Sequence, residues 1–533
     1  MLKFSGLAAR AVFAMPRSPR IWALLLLAVA LAVSQFSGCG EKDHAPFLTM
    51  DGLEGEVPRE RLPTPTSAFR ERDCWRDVPN YVEQCGTVSV AEAEGSAAVL
   101  EIGVVRVFSR AKDPAPDPVV YLDGGPGNAT AAQIDLVFPH FAELAEDRDV
   151  IFIDQRGTGV TEPPMTCKSA TELPDCFAAI AEVTDPAAYT SKNNAKDIDL
   201  VRQALGYDEW NLLGISYGTR LGLTLLRDHP AGVRSVILDS VVPLEVDLYG
   251  EAATNGEASF EKTFAACAAD AACAEKYPDS MAQLLGLVKT LNEEPLRACG
   301  DEFSGDQIVN ILFNLLYSPV AVGFVPRIVD DLAEGDSTLF EDAACDLGRV
   351  NFSLPMHLSI QCAEEAAFTS QETIAELDAA VRPELVPGLS GSSFLPVCTE
   401  WPVPKAPALE NQPVQSSLPT LVLSGFFDPI TPPSYGEQVD QTLSASQYFL
   451  IQNESHGASL SACGLALTRA FLKAPGEPVQ ASCLSDLPPP TFESLRATAE
   501  RRVVGQRTKF LTEAPTDEQI AAAREDLERR LRL

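Results

Sequence analysis

Apolar residues in the first half of the chain come in short runs broken by Gly-rich segments. Residues 86–91 and 100–108 read as two β-strands. Runs at 118–122 and 150–153 end at Asp123-Gly124-Gly125-Pro126-Gly127 and at Asp154-Gln155-Arg156-Gly157-Thr158-Gly159. Short apolar runs bounded by such turns are the pattern of buried parallel strands, covered on both faces. The period then changes. Ile198, Val201 and Leu205 follow helical spacing and predict a helix over 194–205, with Asn193 or Asn194 as its cap. Strands return at 210–213 and 233–238, with a helix over 221–227 between them. This alternation predicts an α/β fold with a mostly parallel, doubly wound sheet.

From 245 to 415 the pattern becomes amphipathic and helical, as at 281–291, 306–316 and 374–381, with no regular strands between. We read this as a helical insertion that splits the α/β core into 74–244 and 416–483. The core resumes with strands at 419–423 and 448–451 and a helix over 459–472. Residues 484–533 form a Pro-rich tail with a charged helix near 517–531, marked by Ile520, Ala523, Leu527 and Leu531.

The N-terminus is patterned differently. Lys3, Arg10, Arg17 and Arg20 precede an apolar run over 21–33, and Phe36-Ser37-Gly38-Cys39 follows. A basic region, a short apolar run and small residues make residues 1–38 a signal peptide. The run is shorter than the ~20 residues a membrane-spanning helix needs. Residues 36–39 resemble a bacterial lipoprotein signal, with Phe36 where Leu is usual. This predicts lipidation at Cys39, with plain signal cleavage or an uncleaved anchor as the alternatives, an exported protein held at the membrane of the cell envelope, and a polar, Pro-rich linker over 39–73.

Cysteine usage agrees with export. Of 13 cysteines, Cys39 is set aside and 12 remain. Proximity suggests Cys74/Cys85, Cys167/Cys176, Cys267/Cys273 and Cys463/Cys483, leaving Cys299/Cys345 and Cys362/Cys398, although sequence alone does not fix connectivity. No CxxC pair exists and the chain has five histidines, which argues against a zinc site. With 75 acidic against 41 basic residues, the net charge of −34 argues against nucleic acid as a partner.

The chemistry centres on Gly214-Ile215-Ser216-Tyr217-Gly218, which matches G-x-S-x-G between a predicted strand and a predicted helix. That turn exposes the Ser216 hydroxyl and sets the Tyr217 N–H, at the helix start, where an oxyanion forms. A serine needs a base. Of His44, His140, His229, His357 and His456, only His456 follows the last predicted strand, and open α/β sheets gather ligands at the carboxyl ends of strands. Asp428, just past the strand at 419–423, supplies the orienting acid. Arg156 and Asp154 read as loop-fixing residues. Trp401 lines the pocket or packs in the core.

Four blocks together, ending with Gly425-Phe426-Phe427-Asp428-Pro429-Ile430-Thr431-Pro432, resemble the proline iminopeptidase and tripeptidyl aminopeptidase branch of the α/β-hydrolase superfamily over residues 74–483. The resemblance implies Ser216 as nucleophile, His456 as base then acid, Asp428 as its orienter, and Gly125 with Tyr217 as oxyanion donors. It departs at Asp123, where proline iminopeptidases usually have His, and at Ser455, where Gly commonly precedes the histidine. It implies cleavage at free peptide N-termini, with acidic residues of the helical cap holding the substrate ammonium. Cys362-Ala363-Glu364-Glu365 is similar to the family's cap segment, making Glu364 and Glu365 the candidates. No cofactor or metal is required, peptides are the expected partners, and the oligomeric state is open. A carboxylic-ester hydrolase on the same triad and a non-catalytic binding protein of the same fold are the alternatives.

Overall fold

The computed structural model describes residues 65–167, 172–344 and 352–492. The signal segment with Cys39, most of the linker, Cys345 and the helix near 517–531 lie outside the described residues. Nine strands form one sheet: β1 (Phe69–Arg72), β2 (Glu83–Ala91), β3 (Val99–Val107), β4 (Ala115–Leu122), β5 (Arg148–Ile153), β6 (Trp210–Ile215), β7 (Val233–Asp239), β10 (Thr420–Gly425) and β11 (Ser446–Ile451). Their order is β1-β2-β3-β5-β4-β6-β7-β10-β11. Pairing is antiparallel from β1 through to β5 and parallel from β5 onward. Six parallel strands therefore end at one edge, where Asp123, Asp154, Ser216, Asp428 and His456 follow them.

Neighbouring residues of each inner strand face opposite sides. Val104, Val120, Ile151 and Leu212 join one apolar layer, with Ile198 and Val201 of α1 (Ser191–Leu205) and Leu221 and Leu225 of α2 (Tyr217–Asp228). Val105, Val119, Phe152 and Leu213 join the other, with Phe138, Leu467 and Phe471. Both faces are covered, which is why β5, β6 and β10 are buried throughout.

Three expectations need correction. First, β1 lies inside the segment read as linker, because Phe69 packs in the core and its strand pairs with β2 from Val88 to Cys85. Second, Thr190 caps α1, accepting the Asn193 N–H at 3.2 Å, so the helix starts before Asn194. Asn194 is buried instead, its side-chain oxygen accepting the Arg156 N–H at 3.2 Å. Third, the insertion holds a small hairpin, β8 (Leu296–Ala298) and β9 (Asp301–Phe303), three residues per strand and too short to register as a period.

The rest of the insertion is helical, including Ala252–Ala269, Ser280–Glu293, Gly305–Leu315 and α3 (Leu354–Glu364). Its helices before 345 share an apolar cluster of their own, around Phe260, Leu284, Leu312 and Val329, into which Phe427 of the sheet domain inserts, whereas α3 packs through Met356, Leu358 and Ile360 into the layer of Val104 and Leu212. Disulfides join Cys74–Cys85, Cys167–Cys176, Cys267–Cys273, Cys362–Cys398 and Cys463–Cys483, and Cys299 is also disulfide-bonded. No described helix is long and apolar enough to cross a membrane.

Candidate functional site

Ser216 sits between the end of β6 and the start of α2 with φ 58° and ψ −128°. A serine held there costs about 1–3 kcal/mol, so the surroundings must enforce it. They do. The Ser216 N–H donates to the Asp239 carbonyl at 3.1 Å, and the Ser216 carbonyl accepts from the Thr219 N–H at 2.9 Å and the Thr219 hydroxyl at 2.6 Å. The flanking glycines have no substitute. A Cβ on Gly218 would meet the Leu122 carbonyl, and one on Gly214 the Gly218 carbonyl.

Opposite lies the loop after β4. Gly125 has φ 111°, open to glycine, and Asp123 organises the turn by accepting the Gly124 N–H at 2.7 Å and the Tyr121 hydroxyl at 2.9 Å. Burial pushes the Asp123 carboxyl up to about 6. Tyr217 is the first residue of α2, and the N–H groups of a helix's first turn have no partner within the helix.

His456 and Asp428 are both buried, with His456 Nδ1 2.9 Å from Asp428 Oδ2. The carboxylate fixes the proton on Nδ1, which leaves a lone pair on Nε2. His456 Nε2 is buried without a partner among the described residues, and His456 lines the same pocket as Ser216. Burial alone would lower the His456 pKa. The Asp428 charge and hydrogen bond, with a smaller pull from Asp239, raise it instead. Burial likewise pushes Asp428 up, but His456 and the Thr431 bonds outweigh it and hold the carboxyl low.

Sequence reading missed the supports of this pair. Thr431 gives Asp428 its N–H at 2.9 Å and its hydroxyl at 2.6 Å. The Asp-x-x-Thr spacing after a strand was the available signal. The His456 N–H donates to the Tyr317 carbonyl at 3.2 Å, and the Ser455 hydroxyl to the Leu316 carbonyl, both at the end of a helix in the insertion. Asp239 and Ser240 hold the far side of the loop, accepting the Ser459 N–H at 2.7 Å and the Gly457 N–H at 2.9 Å. No local signal marks those contacts.

Glu364 and Glu365 part company. Both bind Arg220, one helical turn past Ser216: Nε to Glu364 at 3.1 Å and Nη1 to Glu365 at 2.7 Å. Glu364 also accepts the Ser191 N–H at 2.7 Å and hydroxyl at 2.5 Å, and it does not line the pocket. Its expected role toward a substrate amine is corrected to an internal anchor between α1, α2 and α3. Glu365 does line the pocket, and burial pushes it up to about 7 despite Arg220, with Glu364 and Asp247 adding to the rise.

His357 lies inside α3. It lines the pocket, and its Nδ1 is 3.0 Å from the Pro126 carbonyl. Trp401 packs in the core, its ring N–H donating to Ser359 at 3.0 Å. Arg156 is paired with Asp197 at 2.8 Å, and Asp154 accepts backbone N–H groups of Ala131, Ala132 and Val160. Among the described residues no group of three or more His, Cys, Asp or Glu could hold a metal ion.

Comparison with known proteins adds an independent finding. Residues 117–283 match the α/β hydrolase fold family, and residues 390–483 match the TAP-like protein family. The chain is 27% identical over 384 residues to serine protease Hip1 of Mycobacterium tuberculosis, covering 61% of this chain and 72% of that protein. It is 23% identical to the putative hydrolase YuaR of Escherichia coli, covering 68% and 78%. It is 28% identical over 228 residues to a tripeptidyl aminopeptidase of Streptomyces coelicolor, covering 36% and 41%.

Proposed function

We propose that this chain, whose fold is that of the α/β hydrolases, is an exported serine peptidase acting at free peptide N-termini. Ser216 attacks the scissile carbonyl while His456 takes its proton through Nε2. Asp428 holds the imidazole and stabilises the imidazolium. The Gly125 and Tyr217 N–H groups receive the oxyanion, and His456 then protonates the leaving amine. Water, activated by the same histidine, releases the acyl group.

The observation that carries the reading is the pocket itself: Ser216, His456 and the buried carboxyl group of Glu365 all line it. A carboxylate fixed away from a nucleophile suits a substrate with an ammonium at one end and a scissile carbonyl at the other. Relatives named serine protease and tripeptidyl aminopeptidase support peptides as substrates. Export is supported by the disulfides, and the membrane anchor at Cys39 rests on residues 36–39.

The test is cleavage of a peptide-amide library by the full chain, each peptide with a free and an acetylated N-terminus, beside Ser216→Ala. Ser216-dependent cleavage that acetylation abolishes is expected. Cleavage indifferent to acetylation, or turnover of simple esters alone, sinks the reading in favour of an ester hydrolase.

A further inference from the structure

One face of α3, together with Glu365 that caps its end, lines the pocket. His357, Gln361 and Glu365 stand four residues apart and all line the pocket. Four-residue steps bring side chains onto one side of a helix, and at ~1.5 Å per residue the set spans about 12 Å. Leu354 and Leu358 border it with apolar surface.

The three groups differ in hydrogen-bond sense. The His357 Nδ1–H donates to the Pro126 carbonyl at 3.0 Å, which fixes the tautomer and leaves Nε2 as an acceptor. Burial lowers its pKa to about 4, so the ring is neutral near pH 7. Phe352 and Phe394 flank it, with ring centroids at 5.4 and 6.1 Å. Gln361 spends its side-chain oxygen on the Tyr249 hydroxyl at 3.0 Å, which leaves its amide N–H groups to donate. Glu365 gives Oε1 to Arg220, and its other oxygen has no bond among the described residues. From the oxyanion loop outward, the order is acceptor, donor, carboxyl group.

An extended peptide with a free N-terminus offers the complement: an N–H near the scissile carbonyl, a carbonyl farther on, then an ammonium. We propose that this face of α3 is the docking strip for the acyl portion of the substrate, with His357 Nε2 accepting the N–H of the residue that carries the scissile carbonyl and Gln361 donating to the carbonyl of the residue two positions outward, which points to the same edge of an extended chain. Its length fits more than one residue, since an extended chain advances at most about 3.3–3.6 Å per residue. The proposal rests on the peptidase reading above, with Glu365 as the amine site. His357 is also bonded to the residue after Gly125, so a substrate seated on it is registered against the oxyanion loop.

The test compares free-amine peptide anilides with ester analogues in which oxygen replaces that one N–H. The full wild-type chain is expected to lose about tenfold in kcat/KM on the replacement. His357→Phe, which keeps the ring, and His357→Asn, which keeps a donor to the Pro126 carbonyl, are expected to lose less than about twofold on it. Should His357→Phe fail to fold, His357→Asn carries the comparison. Independently, Gln361→Glu, which keeps an acceptor for Tyr249, is expected to raise KM about tenfold more than it lowers kcat. An undiminished tenfold penalty in the His357 variants, or no penalty in the wild type, overturns the strip while peptidase activity stands. Absence of any Ser216-dependent anilide release by the wild type overturns both readings together.

Discussion

His456 and His357 are buried to the same degree, line the same pocket, and are set to opposite tasks. His456 faces the carboxylate of Asp428, and its pKa is raised. His357 faces a neutral carbonyl, and its pKa falls to about 4. Desolvation acts on both alike, so the partner on Nδ1 decides. A carboxylate there makes a ring that can take a proton. A carbonyl there makes a ring that stays neutral and only accepts a hydrogen bond.

The comparison breaks hardest at the reacting pair. Ser216→Ala or His456→Ala is expected to lower kcat by about 10⁴-fold or more, read by steady-state kinetics, with unchanged thermal unfolding confirming an intact fold. Asp428→Asn converts the first histidine's surroundings toward those of the second. A loss of about 10⁴-fold in kcat is expected. The pH profile gives the sign. The base must be neutral, so wild-type kcat/KM rises with pH through the raised His456 pKa, and Asp428→Asn moves that rise to lower pH. Linkage runs the same way: the His456 contribution to stability is complete below its ordinary pKa of about 6.5 and is lost as pH rises through the raised value.

Next in size is the ionic anchor under the pocket. Arg220→Met strands two buried carboxylates, and a loss of about 3–5 kcal/mol in denaturant unfolding is expected. His357→Phe sharpens the comparison through stability. The native ring resists protonation until about pH 4, whereas the unfolded one titrates near 6.5, so the wild type loses about 3 kcal/mol as pH falls between those values. His357→Phe is expected to lack that part of the decline in unfolding measured from pH 7 to 4. Smallest is Glu365→Gln, expected to raise KM for free-amine peptides about 10- to 100-fold and to leave Arg220 its bond to Glu364.

The legible parts of this protein were those with a local cause. Buried parallel strands require continuous apolar runs, so β4, β5, β6, β7 and β10 were readable to within a few residues. The elbow around Ser216 requires glycines that a Cβ would break, so G-x-S-x-G carried its own meaning. β1 was missed because FRER buries a single residue and shows no alternation. Glu364 and Glu365 were indistinguishable as letters. At the end of α3 their side chains diverge, one into Arg220 and Ser191, the other along the pocket as well as onto Arg220.

What the sequence determined by itself was therefore the periodicity of the α/β core, the strained turn at Ser216, and the order of serine, aspartate and histidine past their strands. These follow from short-range sterics and from side-chain period. The tertiary structure alone decided that the insertion would hold the His456 loop through the Tyr317 and Leu316 carbonyls, that Arg220 would separate two adjacent glutamates, and that His357 would meet the oxyanion loop. Backbone carbonyls look alike in every sequence. Which histidine they meet is set by how the insertion packs onto the sheet domain, α3 through Met356, Leu358 and Ile360 in the layer of Val104 and Leu212, and the preceding helices through a cluster of their own that takes in Phe427.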